Sequence, residues 1–473
     1  MPKSIFLSLI VLTSILMPLP CIAQSEYEPP DTSVALYLRN AIEEGLRKNF
    51  GARLRDYRRA KLEINWADAY EKFWYPSMAF KIDYGNQKID RLKTISDPGG
   101  YSVTSSEIPQ GYAGFTLGQY TLFNWGRDYM RYLNQKKEFK QGKENLTYEQ
   151  RELKFQIIGQ YFSLARAKNI LDIYQEQLRQ ATFIYRLARE KANLKQISKQ
   201  YYLEAREEFL RAQGEYHRAK NFVTTEEQQM AQILGDSEKN NYKIMEVLQF
   251  QKLNIHLNEA VRVAYKNNQD IYNSVVNLEK AQLDYKLARK ENLPLPKFSV
   301  DLGTYKQLLG PNEHGTAFET HNGNSNVEIV ASLNMTWPIF GKGGLFNKRK
   351  LESSFIEKQM AQVSLNHHRK DTRIVIEAIY KQIRVLERQV EVSKLRKENA
   401  KKTVDTTLDN YLKKKALTVE LSKQLVNFVQ ASLKYEDNKL EHLLRKLQLA
   451  KLMGVDDLPR NSFDNLGVDK AAL

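Results

Sequence analysis

The stretch LFNWG, Leu122–Gly126, ends an apolar run and directly precedes a long charged one. A similar stretch, IFGKG, stands at Ile339–Gly343, 217 positions later. Both stretches have the composition of a strand end, in which apolar and aromatic residues give way to glycine before a helical pattern begins. A strand-stop signal that occurs twice at such a distance indicates that the chain repeats a larger unit.

Two further landmarks recur at nearly the same spacing. LRNAIEEGLRKN, which begins at Leu38, returns as LNEAVRVAYKNN from Leu257, 219 positions later. YPSMAFKIDYG from Tyr75 corresponds to LPKFSVDLG from Leu295. Three landmarks in one order predict an internally duplicated chain.

The repeats predict the organisation of the whole chain. The predicted segments are a signal peptide over 1–23; a first repeat over 24–235, with a strand hairpin at 76–123 and a long helix hairpin at 127–234; an inter-repeat equatorial segment over 236–256; a second repeat over 257–454, with a strand hairpin at 296–340 and a long helix hairpin at 345–453; and a C-terminal tail over 455–473.

The N-terminus indicates export. Lys3 precedes the apolar run IFLSLIVLTSILM, and the small residues of PLPCIAQS follow. This is the pattern of a signal peptide cleaved after Ala23, and the run is too short to span a bilayer. A buried N-terminal helix and lipidation at Cys21 are the alternatives. The net charge of +16 would suit nucleic acid, an anionic membrane or acidic partners, but an exported protein does not normally meet nucleic acid.

Long helices account for most of the chain, which has only 13 prolines and 22 glycines. Apolar residues recur every seven positions from Ile157 to Tyr185 and again from Ile376 to Val404, which predicts helices packed side by side as coiled coils. A helix over 127–193 would span roughly 100 Å at ~1.5 Å per residue. Shorter helices over 33–74 and 197–234, and over 257–292 and 417–453, are expected beside the two long helices.

Three of four predicted strands show apolar and polar alternation; in the fourth, Tyr112–Phe123, the phase changes, and a bulge is expected near Gly118. Their length suits an outer-membrane barrel, and long loops are expected over 87–111 and 306–326. The polar face is expected to line a barrel lumen with Lys81, Asp83, Asp301, Glu328 and Asn334. Asp83 and Asp301 hold equivalent positions in the two repeats, so lumen lining is favoured over gating or ion binding.

Aromatic residues collect where the strands meet the helices. The expected membrane-interface belt consists of Trp74, Tyr75, Phe123, Trp125, Trp337 and Phe340. The alternative is that these rings close one end of a soluble sheet. Four strands would leave two open edges in a bilayer, so the chain must assemble with copies of itself. Two chains would give an eight-stranded barrel, whose interior is largely filled by side chains. Three chains would give a twelve-stranded barrel, with room for a conduit.

This pattern resembles the TolC-type outer-membrane efflux family. The resemblance rests on the paired openings LxxAIxxGLxxN and LxxAVxxAYxxN, on the strand starts at Pro76 and Pro296, and on the strand ends LFNWGR and PIFGKGG. It extends from about Leu38 to Gly454. It implies a mostly α-helical chain with transmembrane β-strands, a homotrimer with a twelve-stranded barrel in the outer membrane, and an α-helical coiled-coil barrel that extends into the periplasm.

The resemblance also implies partners. A periplasmic adaptor (membrane fusion) protein and an inner-membrane transporter would dock at the lower end, in a tripartite efflux or type I secretion system that exports small molecules or proteins. The predicted docking residues surround the two helix turns: Lys191, Asn193, Lys195, Lys199, Lys414, Lys415, Thr418 and Glu420. Family members often have glycine at these turns; here Asn193 is expected to adopt the left-handed conformation. The lysines either attract an acidic adaptor or anions, or form only a solvated basic face.

The sequence contains no motif for catalysis, a cofactor or a metal. HExxH, the P-loop and GxSxG are absent, and His367 and His368 would point about 100° apart on a helix. The chain is therefore not expected to be an enzyme. Two alternatives to an export channel are an exported coiled-coil spacer, which has no need for four alternating strands, and a passive porin, which has no need for such long helices.

Overall fold

The computed structural model describes residues 34–94, 101–236, 241–311, 318–319, 328–337, 348–413, 416–458, 462–463 and 466–469. The predicted signal peptide, Phe340, Lys414 and Lys415 lie outside the described residues. The elements in chain order are β1 (Val34–Leu36), α1 (Leu38–Lys48), α2 (Phe50–Trp74), β2 (Met78–Thr94), β3 (Tyr101–Phe123), α3 (Arg127–Asn193), α4 (Lys199–Leu234), β4 (Tyr242–Ile244), β5 (Glu246–Leu248), α5 (Leu257–Asn267), α6 (Gln269–Glu291), β6 (Lys297–Pro311), β7 (Phe318–Glu319), β8 (Glu328–Thr336), α7 (Lys348–Leu412), α8 (Thr418–Met453) and β9 (Gly467–Asp469).

Two helices dominate the chain. The helix expected over 127–193 runs from Arg127 to Asn193, and α7 has 65 residues. Each therefore spans roughly 100 Å at ~1.5 Å per residue. The heptad residues that were expected to pack, such as Ile157, Leu164 and Ile383, are fully buried. The coiled-coil prediction for these helices is confirmed.

The helices expected over 33–74 and 257–292 were predicted wrongly, because each is two helices. Asn49 and Asn268 interrupt them and act as N-caps: their Oδ1 atoms accept from Gly51 N at 2.6 Å and Ile271 N at 3.0 Å. Their Nδ2 atoms donate to a carbonyl at the end of another helix, at 2.7 and 2.8 Å. An asparagine that caps a helix in this way redirects the chain and satisfies one of the backbone N–H groups that the helix start leaves unpaired.

The long strands form one sheet in the order β2-β3-β6, with β7 and β8 both pairing with β6. The β2–β3 register runs unbroken from Met78 opposite Leu117 to Thr94 opposite Tyr101. The predicted loops over 87–111 and 306–326 are therefore wrong, because most of their described residues are strand. The Gly- and Ser-rich composition indicated loops, but cross-strand pairing outweighs such local preferences. A register shift between Leu117 and Tyr120 confirms the irregularity expected near Gly118.

Two small sheets, which the sequence did not indicate, lie near the middle of the helical layer. β1 pairs in parallel with β4, and β5 pairs antiparallel with β9. The segment between the repeats and the C-terminal tail are thus tied into the fold. In that tail Phe463 is fully buried and packs edge-on against Phe155 with ring centroids 5.7 Å apart.

Several contacts recur at a spacing of 219 residues. The Tyr161 hydroxyl donates to Leu36 O at 3.1 Å, and the Tyr380 hydroxyl donates to Ile255 O at 3.2 Å. Gly235 and Gly454 end α4 and α8 with φ of 75° and 67°. A Cβ on either glycine would lie within 2.7 Å of a backbone carbonyl oxygen, so both positions require glycine.

At two positions that recur 219 residues apart, the charges of the second half are the reverse of those of the first. In the first half, Lys168 of α3 pairs with Glu227 of α4 at 2.7 Å and donates to Tyr242 O of β4. In the second half, 219 positions later, Glu387 stands on α7 and Lys446 on α8, and Lys446 donates to Gln251 O at 3.2 Å. The long helix thus carries the cation in one half and the anion in the other.

Candidate functional site: the strand–helix junction and the helical tip

The junction between β3 and α3 is made by two consecutive residues in the left-handed conformation. Trp125 has φ of 61° and Gly126 has φ of 75°. Asn124 closes the turn, because its carbonyl oxygen accepts from Arg127 N at 3.2 Å and its Oδ1 accepts from Asp128 N at 3.4 Å. Left-handed backbone is unfavourable for tryptophan, so surrounding contacts must hold this turn. LFNWG therefore marks a sharp passage from strand to helix.

The contacts that hold the turn come from the second half of the chain. The Trp125 indole N–H donates to Pro296 O at 3.1 Å, and the Trp337 indole N–H donates to Pro294 O at 2.9 Å. Lys290 Nζ donates to Trp125 O at 2.6 Å. Both tryptophans thus fix the linker between α6 and β6.

Arg127 completes this attachment from the first turn of α3. One of its terminal nitrogens donates to the carbonyl oxygens of Lys290, Leu293 and Leu295 at 3.0, 3.4 and 3.4 Å. A cation is favoured there because the last carbonyl groups of α6 carry partial negative charge. Burial lowers the pKa of the Arg127 guanidinium, partly offset by the Glu291 carboxylate.

Glu291 joins three helices at the same level. Its carboxylate pairs with Arg131 of α3 at 2.7 Å and with Lys350 of α7. Burial alone would raise the pKa of Glu291, but the hydrogen bonds and charges of Lys350 and Arg131 hold it below its ordinary value. Sequence reasoning missed Arg127, Arg131, Glu291 and Lys350, because their partners lie about 60 to 170 positions away along the chain.

The predicted aromatic belt lies at this junction. The five described members are 40–63% exposed in the single chain, a large exposure for such side chains: Trp74, Tyr75, Phe123, Trp125 and Trp337. The sheet above them also presents apolar side chains, including Met78, Ile82 and Leu333 at 67–72% exposure. Single exposed apolar residues are ordinary, but a contiguous exposed set marks a surface that another phase or molecule covers.

The predicted lumen residues are described mainly by their backbone. Lys81 and Asp83 of β2 lie opposite Gly114 and Tyr112 of β3. On the other two strands, Asp301 lies opposite Ser332, Asn334 opposite Ser299 and Glu328 opposite Tyr305. Asn334 is partly buried. The side chains of the other four residues lie outside the described part of the structure.

The first turn of the tip is a helix C-cap in which Lys195, not Asn193, is left-handed, with φ of 59°. The expectation for Asn193 was wrong, because α3 continues through that residue. Lys195 N donates to Ala192 O at 3.0 Å and Gln196 N donates to Lys191 O at 2.8 Å, which is the Schellman arrangement. Hydrogen bonding of the last helical turn therefore decides which residue takes the left-handed conformation.

The two turns of the tip lie close together. Lys191 Nζ stands 5.7 Å from the centre of the Tyr411 ring of α7. The remaining described tip residues, Asn193, Lys195, Lys199 and Glu420, are exposed, and Thr418 begins α8. A small apolar core that includes Ile184, Val404 and Leu421 joins the four helices just above them.

A buried cluster of charged residues at the level of the small sheets was also missed. The Glu387 carboxylate accepts from Leu253 N at 2.6 Å and from Arg384 at 2.9 Å. His442 lies 3.9 Å from that carboxylate, and burial lowers its pKa to about 4. Lys446 is 1% exposed, and burial lowers its pKa to about 8. The sequence did contain a signal in α8, where polar residues occupy positions of a row spaced seven residues apart that begins and ends with apolar residues. All five residues of this row are buried: Leu425, Ser432, Lys439, Lys446 and Met453.

Comparisons with known proteins identify a matching sequence family and solved structures of similar fold. The sequence profile described as "Outer membrane efflux protein" matches residues 58–236 and 260–455. The fold is similar to "a membrane protein from Pseudomonas aeruginosa", with TM-score 0.72 and 14% identity, covering 89% of this chain and 91% of that one. It is similar to the outer membrane protein VceC of Vibrio cholerae, with TM-score 0.69 and 12% identity over 88% and 96% of the two chains.

It is also similar to the CmeC outer membrane channel of Campylobacter jejuni, with TM-score 0.69 and 16% identity over 91% and 90%. No curated protein sequence is significantly similar to the chain. In the part of the chain that the structure describes, none of the helices is both long and apolar enough to cross a membrane.

Proposed function

Because the chain belongs to the outer membrane efflux protein family, we propose that it is the exit duct of a larger export assembly that spans the cell envelope. Family membership itself makes the chain an efflux channel protein of the outer membrane with a periplasmic extension, and not an enzyme. The proposal adds the oligomer, the partners and the roles of particular residues.

The observation that carries the proposal is the direct passage of β3 into α3. A strand of 23 residues leads through a three-residue turn into a helix of 67 residues. The exposed aromatic residues stand at that passage. A conduit that crosses one membrane and then extends roughly 100 Å into an aqueous compartment needs such a connection.

The duplication gives each chain two such passages. We assign residues 24–235 and 257–454 to two repeats, joined by the equatorial segment 236–256 and followed by the tail 455–473. The hydrogen bonds of Tyr161 and Tyr380, which recur 219 positions apart, support this division. The second passage, PIFGKGG, lies outside the described residues.

The unpaired sides of the chain support a homotrimer. Among the described strands, β2 pairs only with β3 and β8 only with β6, so both outer edges of the sheet are open. Three chains would close twelve strands into a barrel with an open lumen, whereas eight strands would leave an interior largely filled by side chains. Lys81, Asp83, Asp301, Glu328 and Asn334 are proposed to face that lumen.

The helical layer also has two unlike open sides. One side is formed by α2 and α4, which expose Phe50, Ile64 and Leu210; the other is α7, which exposes Met360 and Val392. Contact between two different surfaces of identical chains produces a ring when the rotation closes. The exposed apolar residues on both sides support this head-to-tail contact.

The tip is proposed to be the docking end for a periplasmic adaptor, which in turn joins an inner-membrane transporter in a tripartite or type I system. Lys191, Asn193, Lys195, Lys199, Lys414, Lys415, Thr418 and Glu420 are the candidate contacts. The exposed lysines would attract an acidic adaptor surface or favour anions at the opening. Both effects should weaken with salt, because exposed charges are screened within about 10 Å at 0.1 M.

Native mass spectrometry in detergent tests the oligomer, and a folded monomer as the main species would refute the ring. The tip is tested by reversing the charge of Lys191, Lys195, Lys414 and Lys415 together, then measuring co-purification with the adaptor and ion selectivity in planar bilayers at low salt. We expect at least one of the two readouts to fall while the trimer persists.

The matched control reverses four lysines that are exposed on α3 and α6, away from the tip: Lys136, Lys140, Lys143 and Lys286. It should leave both readouts unchanged. If the tip variant behaves like this control, the lysines form only a solvated face. A conducting trimer that co-purifies with neither an adaptor nor a transporter would favour the passive porin, and a trimer without conductance would favour the spacer.

A further inference from the structure

A cavity of about 360 Å³ lies between α3, α4 and α8, a few helical turns from the tip. Its apolar lining includes Ala181, Ile184, Ala205 and Leu425, which are all buried. The cavity therefore has an apolar floor within one chain and does not depend on a neighbouring copy.

Two buried oxygen atoms on the lining of this cavity have no hydrogen-bond partner among the residues that the structure describes. One is Oε1 of Gln177, a side chain that is only 7% exposed. The other is Oε2 of Glu204, whose Oε1 accepts from Gln200 at 3.1 Å. An unsatisfied buried acceptor is costly, and more so when it carries charge. Both atoms would be stabilised by a ligand that donates hydrogen bonds.

The charges around the cavity favour a cation. Arg211 bridges Glu207 and Glu208 at 2.9 and 3.2 Å, so these two carboxylates are already compensated. Among the described residues Glu204 forms no ion pair within 4.0 Å. Lys423 also lines the cavity, so it would repel a bound cation. The uncompensated carboxylate is thus that of Glu204.

The acceptors suit a nitrogen cation better than a metal ion. Within the described part of the chain there is no group of three His, Cys, Asp or Glu side chains that could hold a metal. A hard cation such as Ca²⁺ takes six to eight oxygen ligands. An ammonium, amidinium or guanidinium group needs only a few acceptors, and charge-assisted hydrogen bonds to it are strong.

We propose that this cavity, lined by Gln177 and Glu204 over an apolar floor, binds a small organic cation whose amidinium, guanidinium or ammonium group is attached to an apolar body. The oxygen atoms of Gln177 and Glu204 accept the hydrogen bonds, and Ile184 and Leu425 contact the body. The site does not depend on an adaptor or a transporter, so its test and that of the proposed function fail separately.

The two acceptors of this site are not repeated at the corresponding positions of the second half. At the positions 219 residues later, Gln177 is replaced by Arg396 and Glu204 by Lys423. The corresponding positions of the second half therefore carry cations where the first half carries acceptors. A trimer would have three such sites, all of one kind.

The test is a titration of the purified full-length protein in lipid nanodiscs with benzamidine, followed by isothermal calorimetry. Benzamide is the matched neutral ligand, since it has the same ring but no charge. We expect saturable binding of benzamidine, one per chain, and binding of benzamide at least about tenfold weaker. Equal affinity for the two ligands, or no saturable binding of benzamidine, would overturn the proposal.

Three variants and one control locate the site. Glu204→Gln should weaken benzamidine binding about tenfold or more, and Gln177→Met severalfold, because each removes an acceptor. Lys423→Met should strengthen binding, because it removes a repelling charge. The control Glu190→Gln removes an exposed carboxylate near the same tip that does not line the cavity, and should change affinity less than twofold.

Circular dichroism and native mass spectrometry establish that each variant is folded and assembled. If folded Glu204→Gln binds benzamidine as tightly as the control does, the cation lies elsewhere and the assignment is wrong.

Discussion

Replacing Glu387 by glutamine tests the buried charge cluster at the level of the small sheets. The carboxylate accepts from Leu253 N and from Arg384, and its charge compensates that of Lys446. Glutamine keeps the size and one oxygen acceptor but removes the charge. The variant therefore isolates the electrostatic part of the interaction.

Two contributions are expected to make local opening of the structure around Glu387 easier in the variant. Turning a charge-assisted hydrogen bond to Leu253 N into a neutral one loses about 1 kcal/mol. Lys446, whose pKa burial already lowers to about 8, would lose part of its compensation. At pH 7 this loss is limited to about 1 kcal/mol, because a further fall of about one pKa unit releases the proton. The total is about 1 to 2 kcal/mol at pH 7, and it grows as the pH falls because deprotonating Lys446 becomes harder.

Hydrogen exchange of the Leu253 amide measures this cost directly, since that amide is the donor to Glu387. A local opening that becomes easier by about 1 to 2 kcal/mol exchanges roughly 5 to 30 times faster. Glu377→Gln is the matched control, because Glu377 lies on the same helix in an exposed pair with Lys381 at 3.0 Å. Exposed pairs contribute about 0 to 1 kcal/mol, so little change is expected. A change in Leu253 exchange of less than threefold in Glu387→Gln would refute the reasoning.

Three other changes have clear expected outcomes. Burial lowers the pKa of His442 from 6.5 to about 4, so up to about 3 kcal/mol of stability should be lost as the pH falls from about 6.5 to 4. His442→Asn should flatten the pH dependence of the thermal midpoint over this range, and an unchanged profile would contradict the assignment. Gly454→Ala would place a Cβ 2.1 Å from Asn267 O at a φ of 67°, so the free energy of unfolding should fall by several kcal/mol. Thermal unfolding followed by circular dichroism measures this change, and a wild-type midpoint would show that the close approach is relieved. Lys195→Gly should stabilise the first tip turn by about 1 kcal/mol and slow exchange of the Gln196 amide about fivefold, whereas faster exchange would mean that the left-handed turn is not strained.

Periodicity was the most informative feature of the sequence. The range expected for α3 agrees with Arg127–Asn193, because a long stretch that lacks proline and has apolar residues every seven positions strongly favours a helix. The sequence also located the strand–helix passage at Leu122–Gly126, since aromatic and glycine residues mark it. The loop expected over 87–111 was wrong because β2 pairs with β3 along the whole of β2, and pairing is a property of two segments together.

The candidate site was less predictable for the same reason. Arg127 and Glu291 read as ordinary charged helix residues, and only the fold shows that they hold carbonyl groups and cations of distant helices. Asn193 was a reasonable left-handed residue by type, but the hydrogen bonds of the last turn select Lys195. Gln177 and Glu204 gave no signal, because an unpaired buried oxygen is visible only in three dimensions.

The reversed charges of Lys168–Glu227 and Glu387–Lys446 have a consequence for how the chain folds. A chain with two similar halves risks pairing the long helix of one half with the short helix of the other. In the native arrangement each long helix meets an opposite charge on its own hairpin partner. In the exchanged arrangement Lys168 would meet Lys446 and Glu387 would meet Glu227, and like charges brought together in a buried setting are strongly unfavourable. The inversion therefore favours the packing of each long helix against its own short helix and disfavours each exchanged pairing.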